Sequence, residues 1–514
     1  MTDIRPPAIA LIGIDKRFGA VHANKHINLS IEEGTIHGIV GENGAGKSTL
    51  MSILYGFYQA DAGEIRVKGH PLKIADSQAA IAAGIGMVHQ HFMLVEPFTV
   101  LENIMLGAEG GALLAKGEAS ARQLLEELER DYELEVDPDA VVGELPVGLQ
   151  QRVEILKALY RGAEILILDE PTGVLTPSEA DHLFRILRQL RDQGKTIVLI
   201  THKLREIMAV TDRVSIMRGG EIVETLDTKK TNIPHLAELM VGRKVLLRVD
   251  KGQAKPGQPI LGVEGLTVRD ARGIDVVNDV SLQVRAGEIV GIAGVAGNGQ
   301  SQLLEAVAGM CRIRSGRIWI SGDDHGGETD LPCDPAAVRA LGLAHVPEDR
   351  QRTGLVSAFE ENECSILGYQ RDARYGNGPF LNVNAIRREA GERLDAYDVR
   401  PRDCRLKTAN FSGGNQQKIV LAREMERDPR VLIVGQPTRG VDIGAIEFIH
   451  KRLIEMRDAG KAILLVSVEL DEIRALADRV LVMFEGRIVG ETTPDASDEV
   501  LGCLMAGIAQ EKAA

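Results

Sequence analysis

The stretch Gly41-Glu42-Asn43-Gly44-Ala45-Gly46-Lys47-Ser48-Thr49 decides how the chain is read. It fits the pattern G-x-x-x-x-G-K-[ST]. Thr35 to Val40 before it read as a buried strand, and Leu50 to Leu54 after it as the start of a helix. That strand–loop–helix context is what a phosphate-binding loop needs. Glycines let the backbone close around an anion, and successive N–H groups point inward at the helix N-terminus. Lys47 is placed to reach β- and γ-phosphates, and Ser48 to ligate Mg²⁺. The expectation is a nucleotide site.

A chain of 514 residues is too long for one core and predicts two or more domains. Its net charge of −14 argues against nucleic acid as a main partner. The five cysteines are an odd number without a C-x-x-C pair, which speaks against a disulfide framework or zinc site and fits a reducing compartment. The N-terminus lacks the apolar core of a signal peptide, and no run has the length of a membrane span. Any membrane role is expected to be peripheral.

Outward from the loop, residues 8–33 alternate in short apolar runs and predict an antiparallel strand pair. Phe18 is either a base-stacking aromatic or a core one. Gly84 to Gln90 reads as a strand ending in glutamine, and residues 119–134 as an amphipathic helix. Ile165 to Leu168 is a buried strand that runs into Asp169-Glu170, suited to a Mg²⁺-associated Asp and a Glu that polarises water. Thr196 to Thr201 is another buried strand, followed by His202.

Residues 243–258 read as a short exposed linker, after which the pattern restarts. Gly287 to Ser301 mirrors the Gly41 loop at an offset of 253 (294 − 41). Phe411-Ser412-Gly413-Gly414-Asn415-Gln416-Gln417 mirrors Leu145 onward at 266, as Val431 onward mirrors Ile165 and Ala477 onward mirrors Thr211. A constant offset over a hundred residues means a duplicated domain.

The order of phosphate loop, glutamine, glycine-rich signature, Asp-Glu strand and histidine resembles the ATP-binding subunit of ABC transporters. The degenerate second half is similar to the tandem ATPase subunits of bacterial importers for simple sugars and nucleosides. Val88-His-Gln-His-Phe-Met-Leu-Val and Pro146-Val-Gly-Leu-Gln-Gln-Arg-Val resemble the nucleoside branch more than the ribose branch.

The resemblance implies two tandem α/β P-loop ATPase domains, each a mixed sheet with an antiparallel β part and a helical subdomain. The boundaries are residues 1–245, a linker at 246–258, and 259–514, with the helical parts between Gln90 and Leu145 and between Glu348 and Phe411. It implies ATP and Mg²⁺ as cofactors, two integral-membrane permeases, a substrate-binding protein and a second copy of this chain as partners. The place of action would be the cytoplasmic face of the inner membrane.

The resemblance also implies that each nucleotide lies between one domain's phosphate loop and the other's signature. One composite site is complete. Phe18, Gly41, Asn43, Gly44, Gly46, Lys47, Ser48 and Thr49 would hold ATP from one side, and Ser412, Gly413, Gly414 and Asp442 from the other. Ser48, Gln90 and Asp169 would serve the metal, Gln90 would also sense the attacking water, Glu170 would be the general base, and His202 would contact the γ-phosphate. The opposite site keeps Gly294, Gly299 and Ser301 but has Gln300 for lysine. Gly435-Gln436 stands for Asp169-Glu170, leaving no carboxylate for water or metal, and Val468 stands for His202. Facing it are Pro146-Val147 and Thr176, proline lacking the hydroxyl and N–H of Ser412. A soluble ABC ATPase acting on ribosomes is the rival reading; such proteins keep both sites intact and have a long charged linker.

Overall fold

The computed structural model describes the chain apart from residues 1–5, 20, 90–92, 109–113, 133, 173–174, 176, 245–248, 250, 296, 323–326, 378–379, 442 and 508–514. Gln90, Thr176 and Asp442 therefore lie outside the described residues. The chain divides into two compact units, Met1–Val245 and Leu246–Ala514.

In the first unit the strand Ile36–Gly41 is buried along its whole length. It pairs in parallel with Thr196–Ile200 on one side and Arg213–Arg218 on the other. Covered on both faces, such strands are mostly apolar, and the polar pair buried between two of them, His37 and Ser215, is hydrogen-bonded at 2.8 Å. The sheet continues through Ile165–Asp169 to Ile85–Val88 at one edge and ends in antiparallel Glu221–Asp227 at the other. Six strands thus make a mixed sheet. The expected antiparallel pair, Ile9–Phe18 and Val21–Ile31, belongs to a four-stranded sheet with Ala62–Val67 and His70–Pro71. Leu50, Ile53 and Leu54 of the helix Lys47–Leu54 join one apolar cluster with residues of both sheets. Val100–Met105 and Leu114–Tyr132 form the helical part, joined by Val147–Tyr160. Thr99 and Glu102 make a reciprocal capping box at the first of these.

The second unit repeats both sheets strand for strand. Asp275–Arg285, Pro259–Arg269, Ser315–Ser321 and Glu328–Asp330 form the antiparallel one. In the other, Glu288–Ala293 lies between Ala462–Ser467 and Arg479–Phe484, with Val431–Gly435 and Leu343–Val346 beyond. Its helical part holds Glu361–Cys364, Val383–Ala396 and Gly413–Met425, plus a small hairpin, Gly376–Asn377 with Phe380–Leu381, that the sequence pattern does not announce.

A tertiary clamp is duplicated too. Asp212 accepts from Ile36 N (2.9 Å) and from Arg191 (3.2 Å), at the start of the phosphate-loop strand. Asp478 accepts from Ile289 N and Arg457, both at 2.9 Å. Arg457 is fully buried and also donates to Gly252 O at 3.0 Å. Lys251 donates to Ala477 O, and Gly257 N to Ala286 O at 2.8 Å. The segment between the repeats is thus tied to the second unit through two backbone groups and the Lys251 side chain. No helix among the described residues is long and apolar enough to cross a membrane.

Replacing Arg457 takes the guanidinium from a mostly buried carboxylate that keeps the Ile289 amide and has Lys251 at 3.9 Å, so the loss falls at or below the about 3–5 kcal/mol of a buried pair broken outright. The chain's one tryptophan, Trp319, sits buried in the same unit. Arg457→Met is therefore expected to lower the urea midpoint followed by Trp319 fluorescence; an unchanged midpoint would show that the clamp is dispensable.

Candidate functional site

At the end of Ile36–Gly41 the chain turns through Glu42–Gly46 into the helix Lys47–Leu54. Gly46 has φ +98°, and a Cβ there would lie 2.3 Å from Ala23 O. Asn24, fully buried, donates to Gly46 O at 3.0 Å, and Gly220 N to Ala45 O at 3.1 Å. Gly46 gives the helix no side-chain cap, so its first-turn N–H groups are left for another acceptor. Gly44, at φ +81°, is exposed, as are Asn43 and Ser48, while Thr49 is half-buried.

Lys47 is 6% exposed and folds back onto the loop, donating to Gly41 O (2.7 Å) and Glu42 O (3.0 Å). Burial lowers its pKa from lysine's ordinary value, against the pull of Glu170, Asp169 and Glu42. Asp169 ends its strand beside the loop. Burial and then the charge of Glu170 push its carboxyl upward, against a hydrogen bond from Ser48 and the charge of Lys47. A buried ammonium and a hydroxyl–carboxylate pair thus converge at one helix N-terminus.

Glu170 is held in the left-handed region, φ +48°, which turns its side chain out of the strand's line. Its Oε1 lies 2.8 Å from His202 Nδ1. Burial acts to raise the Glu170 pKa, but the His202 hydrogen bond and nearby Lys47 and Lys203 hold it below the ordinary carboxylate range. The His202 turn is fixed from behind: buried Glu206 takes Thr201 Oγ1 at 2.9 Å and Thr172 Oγ1. Phe18, 42% exposed, ends its strand edge-on to Tyr58, with Lys16 Nζ 5.4 Å from the ring.

The second unit builds the same loop from poorer chemistry. Gly299 has φ +94°, with Val276 O 2.1 Å from a would-be Cβ, and Gly294 is closed in by Met483 O at 2.6 Å. Gln300 is buried and reaches Val295 O at 3.1 Å, the carbonyl matching Glu42 O, but carries no charge. Gln436 keeps φ +48°, and its Oε1 meets Val468 N at 3.5 Å where Glu170 meets a histidine. One expectation is overturned: this unit does have a carboxylate at its loop, because Ser301 Oγ donates to Glu348. Glu348 follows the strand Leu343–Val346, at the place Gln90 holds after Ile85–Val88 (343 − 85 = 348 − 90 = 258). That offset was the available signal.

The signatures differ as well. Ser412 caps Gly413–Met425, its Oγ accepting from Asn415 N (3.5 Å) and Nδ2 (2.8 Å). Pro146 at the same place offers its helix no side-chain cap. Gly413 and Gly414 open the Ser412 helix, and a Cβ at Gly413 would lie 2.6 Å from Arg350. Arg350 also donates to Arg439 O at 2.7 Å, bracing the signature; its motif position gives no hint of this.

Both units carry the sequence pattern of the ABC transporter family, over residues 24–173 and 277–439. The chain belongs to that family and is an ATP-binding, ATP-hydrolysing subunit within it. Guanosine import ATP-binding protein NupO of Bacillus subtilis (strain 168) is 48% identical to it over 98% of each chain. Nucleoside import ATP-binding protein NupA of Lactococcus lactis subsp. cremoris (strain MG1363) is 46% identical, over 97% of this chain and 98% of that one. Glucose import ATP-binding protein TsgD13 of Haloferax volcanii is 45% identical, over 98% and 96%.

The loop geometry separates two glycine substitutions. Gly44→Ala meets nothing within 4 Å and carries only the left-handed backbone cost of about 1–2 kcal/mol. Gly46→Ala drives a methyl into the Ala23 carbonyl. Titration with a fluorescent ATP analogue is expected to find binding kept in the first variant and lost in the second.

Proposed function

We propose that this chain energises import of nucleosides, with one composite site that hydrolyses ATP and one that does not. The observation that carries the asymmetry is the Glu170–His202 pair at 2.8 Å, set against Gln436 beside Val468. A left-handed carboxylate oriented by an imidazole is suited to take a proton from attacking water; an amide beside a valine is not.

Oxygen donors, a hydroxyl and a carboxylate, are the kind Mg²⁺ takes, so Ser48 and Asp169 would hold it against the phosphates, helped by Gln90. Bound Mg²⁺ would offset phosphate charge. Lys47 would leave its loop carbonyls for the γ-phosphate, and Phe18 would stack on the base. Ser412, Gly413, Gly414 and Asp442 of the second unit would close over that phosphate, so ATP joins the halves and hydrolysis releases them. Domains at 1–245 and 259–514 with a join at 246–258 would undergo that cycle. The partners are two permeases, a substrate-binding protein and a second copy of the chain, and the place is the cytoplasmic face of the inner membrane.

The nucleoside reading is supported by the 48% and 46% identity to NupO and NupA, a guanosine and a nucleoside import ATP-binding protein. Simple-sugar import is the second reading, favoured by the 45% identity of TsgD13. Uptake of labelled guanosine or glucose by the chain reassembled with its permeases separates them: nucleoside uptake supports the first, sugar uptake alone overturns it.

Met93, 61% exposed, follows the glutamine position, and its carbonyl accepts from Lys157 at 2.8 Å. Together with His91 to Pro97, and Gln351 to Val356 in the second unit, it would line the groove for the permeases' cytoplasmic helices. Met93→Glu is expected to uncouple uptake while ATP still binds. Surviving uptake, or lost ATP binding, would refute that role.

Steady-state ATPase of the assembled transporter tests the asymmetry. Glu170→Gln is expected to lower the rate by ~10²–10⁴-fold, the usual cost of a lost base, and Gln436→Ala to change it little. Ser412→Ala should be severe and Pro146→Ser mild. Ser412 is 365 residues from Lys47 (412 − 47) and acts on its ATP only across a domain interface. Equal sensitivity within either pair would mean that both sites turn over.

A further inference from the structure

A buried acid that the nucleotide chemistry does not use lies behind the Ser412 signature. Val100 N donates to Ala140 O and Glu361 N to Leu406 O, both at 3.0 Å, each at the start of a short capped helix. Val142 N then donates to Phe98 O, and Thr408 N to Phe359 O, both at 2.9 Å. The two units therefore share one stitch, offset by 261 residues on the helix side (361 − 100) and by 266 on the other (406 − 140). Val100 is fully buried; its counterpart Glu361 is a carboxylic acid only 1% exposed. Glu361 Oε2 has no hydrogen-bond partner among the described residues. Arg393 on the helix Val383–Ala396 faces it but is engaged by Ser365 O (2.8 Å), Tyr375 Oη (3.1 Å) and Glu389. Cys404 from the stitched segment and Cys364 on its own helix are the other titratable groups against it. Arg387, near Cys404, lies 3.7 Å from Glu360, and Arg423 of the signature helix donates to Cys364 O at 3.3 Å.

We infer that Glu361 is a positioning residue for the signature: as a neutral acid it lets residues 404–408 lie against its helix, and on losing its proton it unseats them and Ser412 with them. The inference rests on the reading of Ser412 as part of the hydrolysing site. The path between them is short. Thr408 O accepts from Gln416 Nε2 at 2.9 Å, inside the helix that Ser412 caps, and Ser412 is four residues beyond Thr408 (412 − 408). Thr408 Oγ1 also donates to Val356 O at 2.8 Å, so a shift of the segment breaks bonds on both sides. A buried carboxylate without a donor is costly, and such a group keeps its proton instead. Burial drives the Glu361 pKa up to about 8, against the charge of Arg393. Its charge therefore appears just above neutral pH, behind Ser412. Behind Pro146 the same place holds Val100, which does not titrate.

Steady-state ATPase of the assembled transporter, followed between pH 7 and pH 9, is the test. The wild-type rate is expected to fall about tenfold, since one pH unit past about 8 leaves about one acid in ten protonated. Glu361→Gln, neutral at every pH and nearly the same shape, is expected to hold its pH 7 rate at pH 9. So is Glu361→Val, which copies the first unit. Stability reads the same proton. The acid ionises near 4.5 in the unfolded chain and near 8 in the folded one, so the unfolded state sheds its proton first. Wild-type stability is therefore lost as pH rises between those two values. The urea midpoint followed by Trp319 fluorescence is expected to drop further from pH 6 to pH 9 in the wild type than in either variant, and the pH 6 midpoints report that the variants are folded. A wild-type rate that holds to pH 9 would overturn the inference, as would an equal alkaline loss in Glu361→Gln. With Ser412→Ala severe, either result strikes this inference alone; a mild Ser412→Ala would remove the reading beneath it.

Discussion

A buried ammonium with no anion beside it but carboxylates it must share is the constraint that organises this chain. Lys47 is 6% exposed and spends its donors on its own loop's carbonyls. Desolvating a cation that way is costly unless a strong acceptor arrives, and a phosphate at the helix N-terminus is that acceptor. The rest of the unit keeps the ammonium and the amides in register. A strand buried on both faces fixes where the loop begins, Gly46 lets it turn against Ala23 O, and Asn24 and Gly220 hold the turn from outside.

Duplication shows which parts of that device belong to the fold and which to the chemistry. Sheet order, the Asp212 and Asp478 clamps and the left-handed glycines at 46 and 299 are common to both units. So is φ +48° at both Glu170 and Gln436. A non-glycine residue in that region costs of order 1–3 kcal/mol and persists only where its surroundings impose it. Its survival at Gln436, where no base remains, assigns the strain to the strand's exit and not to catalysis. The fold makes this kink in both units, whichever side chain stands on it.

Much of this is legible in the chain because the phosphate loop, the Asp-Glu strand end and the signature are local. Their residues act where they stand, and the 266-residue offset carries the reading from one half to the other. What escapes notice are relations between strands. Gly435 reads as a lost carboxylate, and nothing near it says that a neighbouring strand delivers another. The same holds for residues 251–258, whose composition reads as linker. Beside the Lys251 side chain, their attachments run through the Gly252 carbonyl and the Gly257 amide, groups that every residue carries and no sequence marks. Arg350 escapes for the converse reason: its charge is plain, but its work against Gly413 and Arg439 depends on two loops meeting. The histidine after Thr196–Thr201 was legible as a candidate, yet its partner Glu170 was set only by the kink.

The losses in the second unit are coupled by electrostatics. In the first, Asp169 and Glu170 lie side by side; burial and then the Glu170 charge push the Asp169 carboxyl upward, and Ser48 and Lys47 work against that rise. Exchanging the lysine for a buried glutamine removes the cation that makes two adjacent carboxylates tolerable. A chain that kept both would hold like charges together in a partly desolvated niche, with at least one driven to take up a proton. Gly435 and Gln436 relieve that repulsion together. One carboxylate, Glu348, remains, tied to a hydroxyl rather than to a second acid. Neutral amide and missing aspartate are therefore one adjustment: without a fixed protein cation at residue 300, the adjacent acid pair is gone from the strand end.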